Sequence, residues 1–311
     1  MSASLRTIRV LSDGRPGHEN QSAGLAAALA RRTGAVIQTV RLSESPLKWA
    51  SRFPTAARVG EQDAAPDLLI GTGHRVHLPL AYAARRFRAR SIVIMRPTWP
   101  LRLFDLCLIP SHDCPARCAG QNVIQTRGAL NRIPELIPSK QARGMVLIGG
   151  PSKHHAWDAA PLAAAVKAVV ASRPDLKWTI GNSFRTPKNF LEQLAHEKVN
   201  ADLVSHSQTT PEWLPGQLLA ADEVWVTEDS VSMLHEAVTA GARTGLLPMP
   251  ARSRDARPTR AVQGLVEASY ATTYESWKRN GQPLPPAKRL NETARCAEII
   301  LQRFFPRHSG A

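Results

Sequence analysis

Two histidines stand directly after apolar runs in the first half of this chain. His18 lies in DGRPGHENQ, which follows TIRVLS, and His74 lies in GTGHR, which follows DLLI. Near neutral pH an imidazole can take a proton from an attacking hydroxyl. His18, flanked by Arg15 and Glu19, is therefore a candidate general base, with His74 or Glu19 as its substitutes. The competing reading for a loop histidine is a hydrogen-bonding spacer. Gly14 and Gly17 in the first loop and Gly73 in the second permit tight backbone geometry. With Asn20 they form the first-half binding set. Two such loops at adjacent strand ends would line one pocket.

The second half repeats the plan. Gly149-Gly150-Pro151-Ser152-Lys153 follows the apolar run MVLI, and a glycine loop of this kind brings backbone N–H groups toward a phosphate. Neither half has the Gly-Lys-[Ser/Thr] of a Walker loop or a clean G-x-G-x-x-G, so nucleotide hydrolysis and hydride transfer both lose ground. GNSFRTPK offers Ser183, Arg185 and Thr186 at a strand end, and a guanidinium beside hydroxyls suits a diphosphate. In VWVTEDSVSMLHEAVTAG an apolar run passes through Glu228 and Asp229 into a helical pattern. Ser230 is the expected N-cap and Gly241 the left-handed stop. Asp229, Ser232, Met233 and Glu236 follow helical spacing, which places them on one face. Glu236 is suited to accept hydrogen bonds from vicinal sugar hydroxyls; the bland alternative is an acidic turn complementing the helix dipole. His112-Asp113-Cys114 with Cys118 imitates a metal cluster, but it lacks the paired spacing and second half of a zinc site. No metal is expected.

The elements that must position these residues read as strands alternating with helices. Strands are expected at 7–12, 35–41, 67–71, 91–95, 106–110 and 122–126, then at 145–149, 177–180, 201–205, 223–226 and 244–248. Helices fall at 23–32, 76–88, 161–172, 187–198, 230–240 and 291–305, with shorter helical segments at 42–58 and 215–221. Such alternation predicts doubly wound parallel sheets. Residues 1–130 form an N-terminal Rossmann-like domain, 131–143 a Pro-containing linker and 144–290 a second such domain. Residues 291–311 form a helix packing back on the body.

The chain has 311 residues, 40 Lys and Arg against 25 Asp and Glu, and a net charge of +15. That excess favours a polyanionic partner, whether nucleic acid, an anionic membrane surface or phosphorylated substrates, and charge alone does not choose between them. Only 5% of residues are aromatic, too few to suggest a stacking platform, so no nucleic acid is expected. Arg252 to Arg260 is read as a basic, solvated loop. No apolar run reaches ~18 residues and the first residues lack a signal-peptide core, so the protein is expected to stay where it is made, in the cytoplasm, with its basic charge holding it at the anionic inner membrane surface. Four cysteines without a framework spacing argue against disulfides.

DGRPGHENQSAGL, GTGHRVHLPL, GALNR, IGGPSKHHAW, SFRTP and VTEDSVSMLHEAVTAG, in that order, resemble the mitochondrial fission protein family of plants and many Gram-negative bacteria. The resemblance implies an α/β chain with two Rossmann-like domains facing a cleft, the GT-B architecture. It implies a metal-independent inverting glycosyltransferase that takes a nucleoside-diphosphate sugar and no other cofactor. The implied acceptor is lipid-linked or of lipopolysaccharide-core type. A nucleotide-sugar 2-epimerase and a non-enzymatic membrane adaptor are the alternatives. By analogy with MurG-type transfer, Glu236 would hold the ribose, and Ser230, Val231 and Ser232 would contact the nucleotide. Gly149, Gly150 and Ser152, with Arg185 and Thr186, would surround the diphosphate, and His18 would be the base. Glu228 and Asp229 would repel a phosphate at their helix start, so the diphosphate is expected nearer Gly149, Ser152 and Arg185. Where the family usually has an Asn-Pro-Tyr-like segment, this chain has TTPEWLPGQLLA.

Overall fold

The structure is a computed structural model and describes residues 4–42, 65–114, 120–136, 138–253, 257–281 and 283–306. The chain divides into two compact units. One comprises Met1–Glu135 with Asn291–Ala311, the other Leu136–Leu290.

The first unit holds a six-stranded sheet of β1 (Thr7–Ser12), β2 (Val36–Arg41), β3 (Leu68–Thr72), β4 (Arg90–Ile94), β5 (Leu106–Pro110) and β6 (Val123–Thr126). Its order is β2-β1-β3-β4-β5-β6, parallel throughout. Parallel strands must be covered on both faces, which is why β3 and β5 are buried along their whole length. One face packs Ile8, Ile70 and Ile92 against Leu25 and Leu29 of α1 (Pro16–Thr33) and Ile300 of the C-terminal helix. The other packs Leu69, Val93 and Ile109 against Val76 and Leu80, the latter from α2 (His77–Phe87).

The second unit has β7 (Gln141–Ile148), β8 (Lys177–Asn182), β9 (Asp202–Val204), β10 (Ala221–Thr227), β11 (Arg243–Leu247) and β12 (Thr272–Thr273). They lie in the order β12-β11-β10-β7-β8-β9, again parallel. Its helices are α3 (Ala159–Ser172), α4 (Phe190–His196), α5 (Trp213–Ala220), α6 (Val231–Thr239), α7 (Arg257–Glu267) and α8 (Tyr274–Asn280). Two strand glycines make room for aromatic partners. A Cβ on Gly144 would meet the Trp178 ring at 2.4 Å, and one on Gly245 would meet Trp225 at 2.4 Å. These are cross-strand neighbours, so each indole lies over the glycine beside it.

Several expectations change in the structure. The first loop is shorter than expected, because α1 starts at Pro16 and not at residue 23. Proline suits a first helical position, where its missing N–H costs nothing. His18, Glu19 and Asn20 are thus helical residues. The expected linker at 131–143 is ordered at both ends: Asn131 and Ile133 are buried in the first unit, and β7 begins at Gln141. Within it, Lys140 Nζ donates to the carbonyls of Leu218, Leu219 and Ala240 at 3.1, 3.2 and 2.8 Å, closing the ends of α5 and α6. Half of the expected basic loop at 252–260 belongs to α7. The segment expected at 42–58, with Trp49 and Phe53, lies beyond Leu42 outside the described residues, as does Cys118.

The last helix, α9 (Glu292–Phe304), belongs to the first unit although it follows the second in sequence. Glu292 accepts from the Arg127 N–H at 3.0 Å, while Thr293 exchanges hydrogen bonds with the Asn131 backbone at 3.0 and 3.1 Å.

Candidate functional site

In open parallel sheets, ligands bind beyond the carboxyl ends of the strands where the strand order reverses. In the first sheet that point lies between β1 and β3. His18 stands in the first turn of α1, just past the loop leaving β1, and His74 in the turn leaving β3. His18 Nδ1 lies 2.9 Å from Asp13 Oδ2, and the Asp13 side chain is fully buried. A carboxylate only accepts, so Nδ1 carries the proton and a neutral His18 presents Nε2 as its basic nitrogen. The His18 ring lies over Gly73. A Cβ there would sit 2.4 Å from His18 Cε1, and the residue has φ +87°, so glycine is required for two reasons. The two loops meet, as their parallel placement predicts. His74 itself is exposed and opens a 3-10 turn, His74–Val76.

Glu19 does not face His18. Its carboxylate accepts from Ser12 Oγ at 2.5 Å and lies 4.0 Å from Arg41, which makes it an anchor for the start of α1. Ser12 Oγ in turn accepts from the Gly14 N–H at 3.0 Å, and Gly14 adopts φ +77°. Gly17 is exposed with open space around it, and Asn20 is half-buried one turn on.

In the second sheet the order reverses between β7 and β10. There Asp229 gathers three loops. Its Oδ2 lies 2.6 Å from an Arg185 nitrogen and accepts from the Gly150 N–H and from Ser230 Oγ, each at 3.1 Å. Arg185 also donates to the Gly150 carbonyl at 3.0 Å and to Ser230 Oγ at 3.2 Å. Ser183 N donates to Thr186 Oγ1 at 2.9 Å, and Thr186 Oγ1 donates to the Ile148 carbonyl at 3.0 Å and to that of Gly149. The glycines are needed for this contact. A Cβ on Gly149 would meet Asp229 and Ser230 at 2.2 Å, and one on Gly150 would meet the Arg185 carbonyl at 2.2 Å.

Two features of this geometry bear on the expected phosphate contacts. The Gly149 N–H already donates to Thr227 Oγ1 at 2.8 Å and that of Gly150 to Asp229, so neither amide points at open space. Arg185 spends three of a guanidinium's five N–H donors inside the protein, and its charge is offset by Asp229. The expected repulsion at α6 weakens for the same reason. Glu228, whose carboxyl is pushed up by burial, accepts from the Met249 N–H at 3.2 Å. Ser230 stands at the N-cap position but makes no side-chain cap, since its hydroxyl serves Asp229 and Arg185. The first-turn amides of Val231, Ser232 and Met233 therefore open α6 uncapped, with Ser232 exposed. Glu236 lies in the second turn of α6 and is buried. Ser152 Oγ accepts from the His154 and His155 amides at 3.1 Å each, folding its own loop, and Lys153 beside it is exposed.

Comparison with known proteins follows this geometry. A family model described as Mitochondrial fission ELM1 matches residues 16–304. The chain belongs to that family. An uncharacterized protein of Rickettsia prowazekii, RP120, is 25% identical over 94% of this chain and 97% of its own length. Among solved structures, UDP-GlcNAc 2-epimerase from Methanocaldococcus jannaschii covers 95% of this chain and 99% of itself, with TM-score 0.59 and 10% identity. MurG from Acinetobacter baumannii covers 96% and 99%, with TM-score 0.54 and 13% identity. At such identities the likeness shows the fold: two Rossmann-like domains of GT-B type.

For this family member, three residues near the two sites were missed in the sequence. Asp13 is concealed by its place in an apparent turn, although a carboxylate five residues before a histidine was the available signal. His155 is 2% exposed in the β7 loop, and burial lowers its basicity while Asp229 opposes that. Phe184 is 76% exposed between Ser183 and Arg185. Among the described residues, no group of three or more His, Cys, Asp or Glu is placed to hold a metal ion, and no helix is long and apolar enough to cross a membrane.

Proposed function

We propose that this protein is an inverting glycosyltransferase that uses a nucleoside-diphosphate sugar and acts on a lipid-linked or lipopolysaccharide-core acceptor. One observation carries the reading: the buried Asp13 carboxylate 2.9 Å from His18 Nδ1, set over Gly73 where the first sheet reverses its order. In this reading His18 Nε2 takes the proton of the acceptor hydroxyl as its oxygen attacks the anomeric carbon. The bond from that carbon to the diphosphate breaks on the opposite face, and its electron pair leaves with the nucleoside diphosphate. Asp13 stabilises the imidazolium that forms, which later releases its proton to water. In the second unit, the uncapped amides of Val231, Ser232 and Met233 receive the diphosphate. Glu236 takes the ribose hydroxyls. Arg185 acts through Asp229, holding the loops in place, and adds its remaining N–H groups. The fold likeness to a UDP-GlcNAc 2-epimerase supports a second reading, epimerisation at the sugar C2.

A thermal-shift screen of UDP, GDP, ADP and CMP sugars tests both. A ligand at 100 times its Kd should add about 2.7 kcal/mol, and Glu236→Ala should remove most of that gain. Silence from every nucleotide overturns both enzyme readings in favour of a non-enzymatic adaptor at a membrane. Solvent isotope uptake at C2 without an acceptor selects the epimerase.

A further inference from the structure

The surface that leads away from the His18 loop is apolar where helices usually face water. Leu78 and Tyr82 are 45% and 48% exposed and stand four residues apart on α2, so they share one stripe. Trp99, 46% exposed, comes from the loop after β4. That loop is tied to the start of α2 by Thr98 Oγ1 at 3.3 Å from His77 Nδ1, which sets Trp99 beside the helix end that carries Leu78. The stripe runs on into Arg85 and Arg86, both exposed, and Arg102 is exposed in the 3-10 turn just past Trp99.

Within the segment that carries this patch, the charge has one sign. From Leu68 to Phe104 the chain contains seven arginines and no aspartate or glutamate. Arg90 is neutralised by Asp105 at 2.9 Å, just past the end of α2 that carries Arg85 and Arg86. We infer that Leu78, Tyr82 and Trp99, ringed by Arg85, Arg86 and Arg102, dock this protein on an anionic lipid bilayer. The occupant follows from the chemistry. Tyr and Trp settle at the headgroup level and a leucine enters the acyl boundary. Arginine stems lie along apolar surface while their heads reach lipid phosphates. A nucleic acid would gain no stacking face from Leu78, and an acidic protein would leave the apolar trio unused. Lipid contact here serves the acceptor side of the proposed transfer, since α2 begins at the turn that supports His18, but it does not depend on that reading.

The test is sedimentation of the full chain with sucrose-loaded vesicles of phosphatidylcholine alone or with phosphatidylglycerol, followed in rising salt. The expected result is binding to the anionic vesicles only. Arg85→Ala with Arg86→Ala should lower partitioning roughly fivefold per arginine. Leu78→Ala with Tyr82→Ala and Trp99→Ala should abolish it at moderate salt, with an unchanged melting temperature. Lys278→Ala with Arg279→Ala, exposed on α8 in the other unit, removes the same charge and should leave binding near wild type. Four outcomes overturn the inference: no anionic binding, equal loss in the α8 variant, full binding by the triple-alanine variant, or a dimer that this variant alone dissolves. Vesicle binding is read without any sugar nucleotide, so its failure is distinguishable from failure of the transfer reading.

Discussion

His18 is held from two sides, by a buried carboxylate at Nδ1 and by a glycine under its ring. If it is the base, His18→Ala should abolish turnover while leaving donor affinity unchanged. Asp13→Asn should also be costly, because an amide nitrogen can force the other tautomer and turn Nε2 into a donor. A loss of ~10²–10⁴ in kcat with unchanged donor Kd is expected; turnover within a few-fold of wild type would remove the pair from catalysis. A different histidine sets an acid limit. His77 is 2% exposed, and burial, then His74, lowers its pKa from 6.5 to about 4. Between those values the unfolded chain binds a proton that the folded one refuses, so stability falls as pH drops from 6.5 toward 4. That difference amounts to at most about 3–4 kcal/mol. His77→Gln should flatten that part of the pH–stability curve, and an unchanged slope would show that another group controls it.

At the scale of elements, α1 depends on close approach. Gly24 sits mid-helix, where replacement by alanine ordinarily stabilises by ~1 kcal/mol. Here a Cβ would stand 2.1 Å from the Asn131 carbonyl oxygen. Asn131 cannot simply retreat, because Thr293 holds its N–H and its carbonyl from α9. Overpacking of about 1–3 kcal/mol should outweigh the propensity gain. Gly24→Ala is therefore expected to destabilise the first unit in chemical denaturation, and a net gain would mean that the α1–α9 contact yields. The same logic explains Gly149 and Gly150. Their backbones touch side chains and carbonyls of neighbouring loops, so they shape the second site without supplying its free amides.

The whole molecule is two units, one of which is completed by the chain's last helix. Cys296, Ala297 and Ile300 are fully buried against the α1 face of the first sheet. Ending the chain at Leu290 should expose that face and cost the first unit most of its stability, since each buried aliphatic side chain contributes about 1.5–3 kcal/mol. Hydrogen exchange should then lose protection in β1 and α1 while β7, β10 and α6 keep theirs. Equal loss in both units would show that they fold as one cooperative block.

Much of this was legible before any coordinates. β1 and β5 fall at the residues that the apolar runs mark, and Gly34 and Gly241 close their helices with φ +75° and +71°. These features are local: apolar runs between turn residues and a left-handed glycine need only their neighbours. The strand-end loops that carry both sites were visible for the same reason. What required the tertiary structure was which groups in those loops meet. Asp13, not Glu19, turns to His18. Asp229 takes Arg185 and the Gly150 amide that a phosphate was expected to find, and α9 returns to a unit that the chain left at residue 135. Such pairings can span more than half the chain, as between Asn131 and Thr293 with a separation of 162. The apolar and charge pattern determines where strands end, whereas packing and hydrogen-bond satisfaction between distant segments decide which polar groups remain open to a ligand.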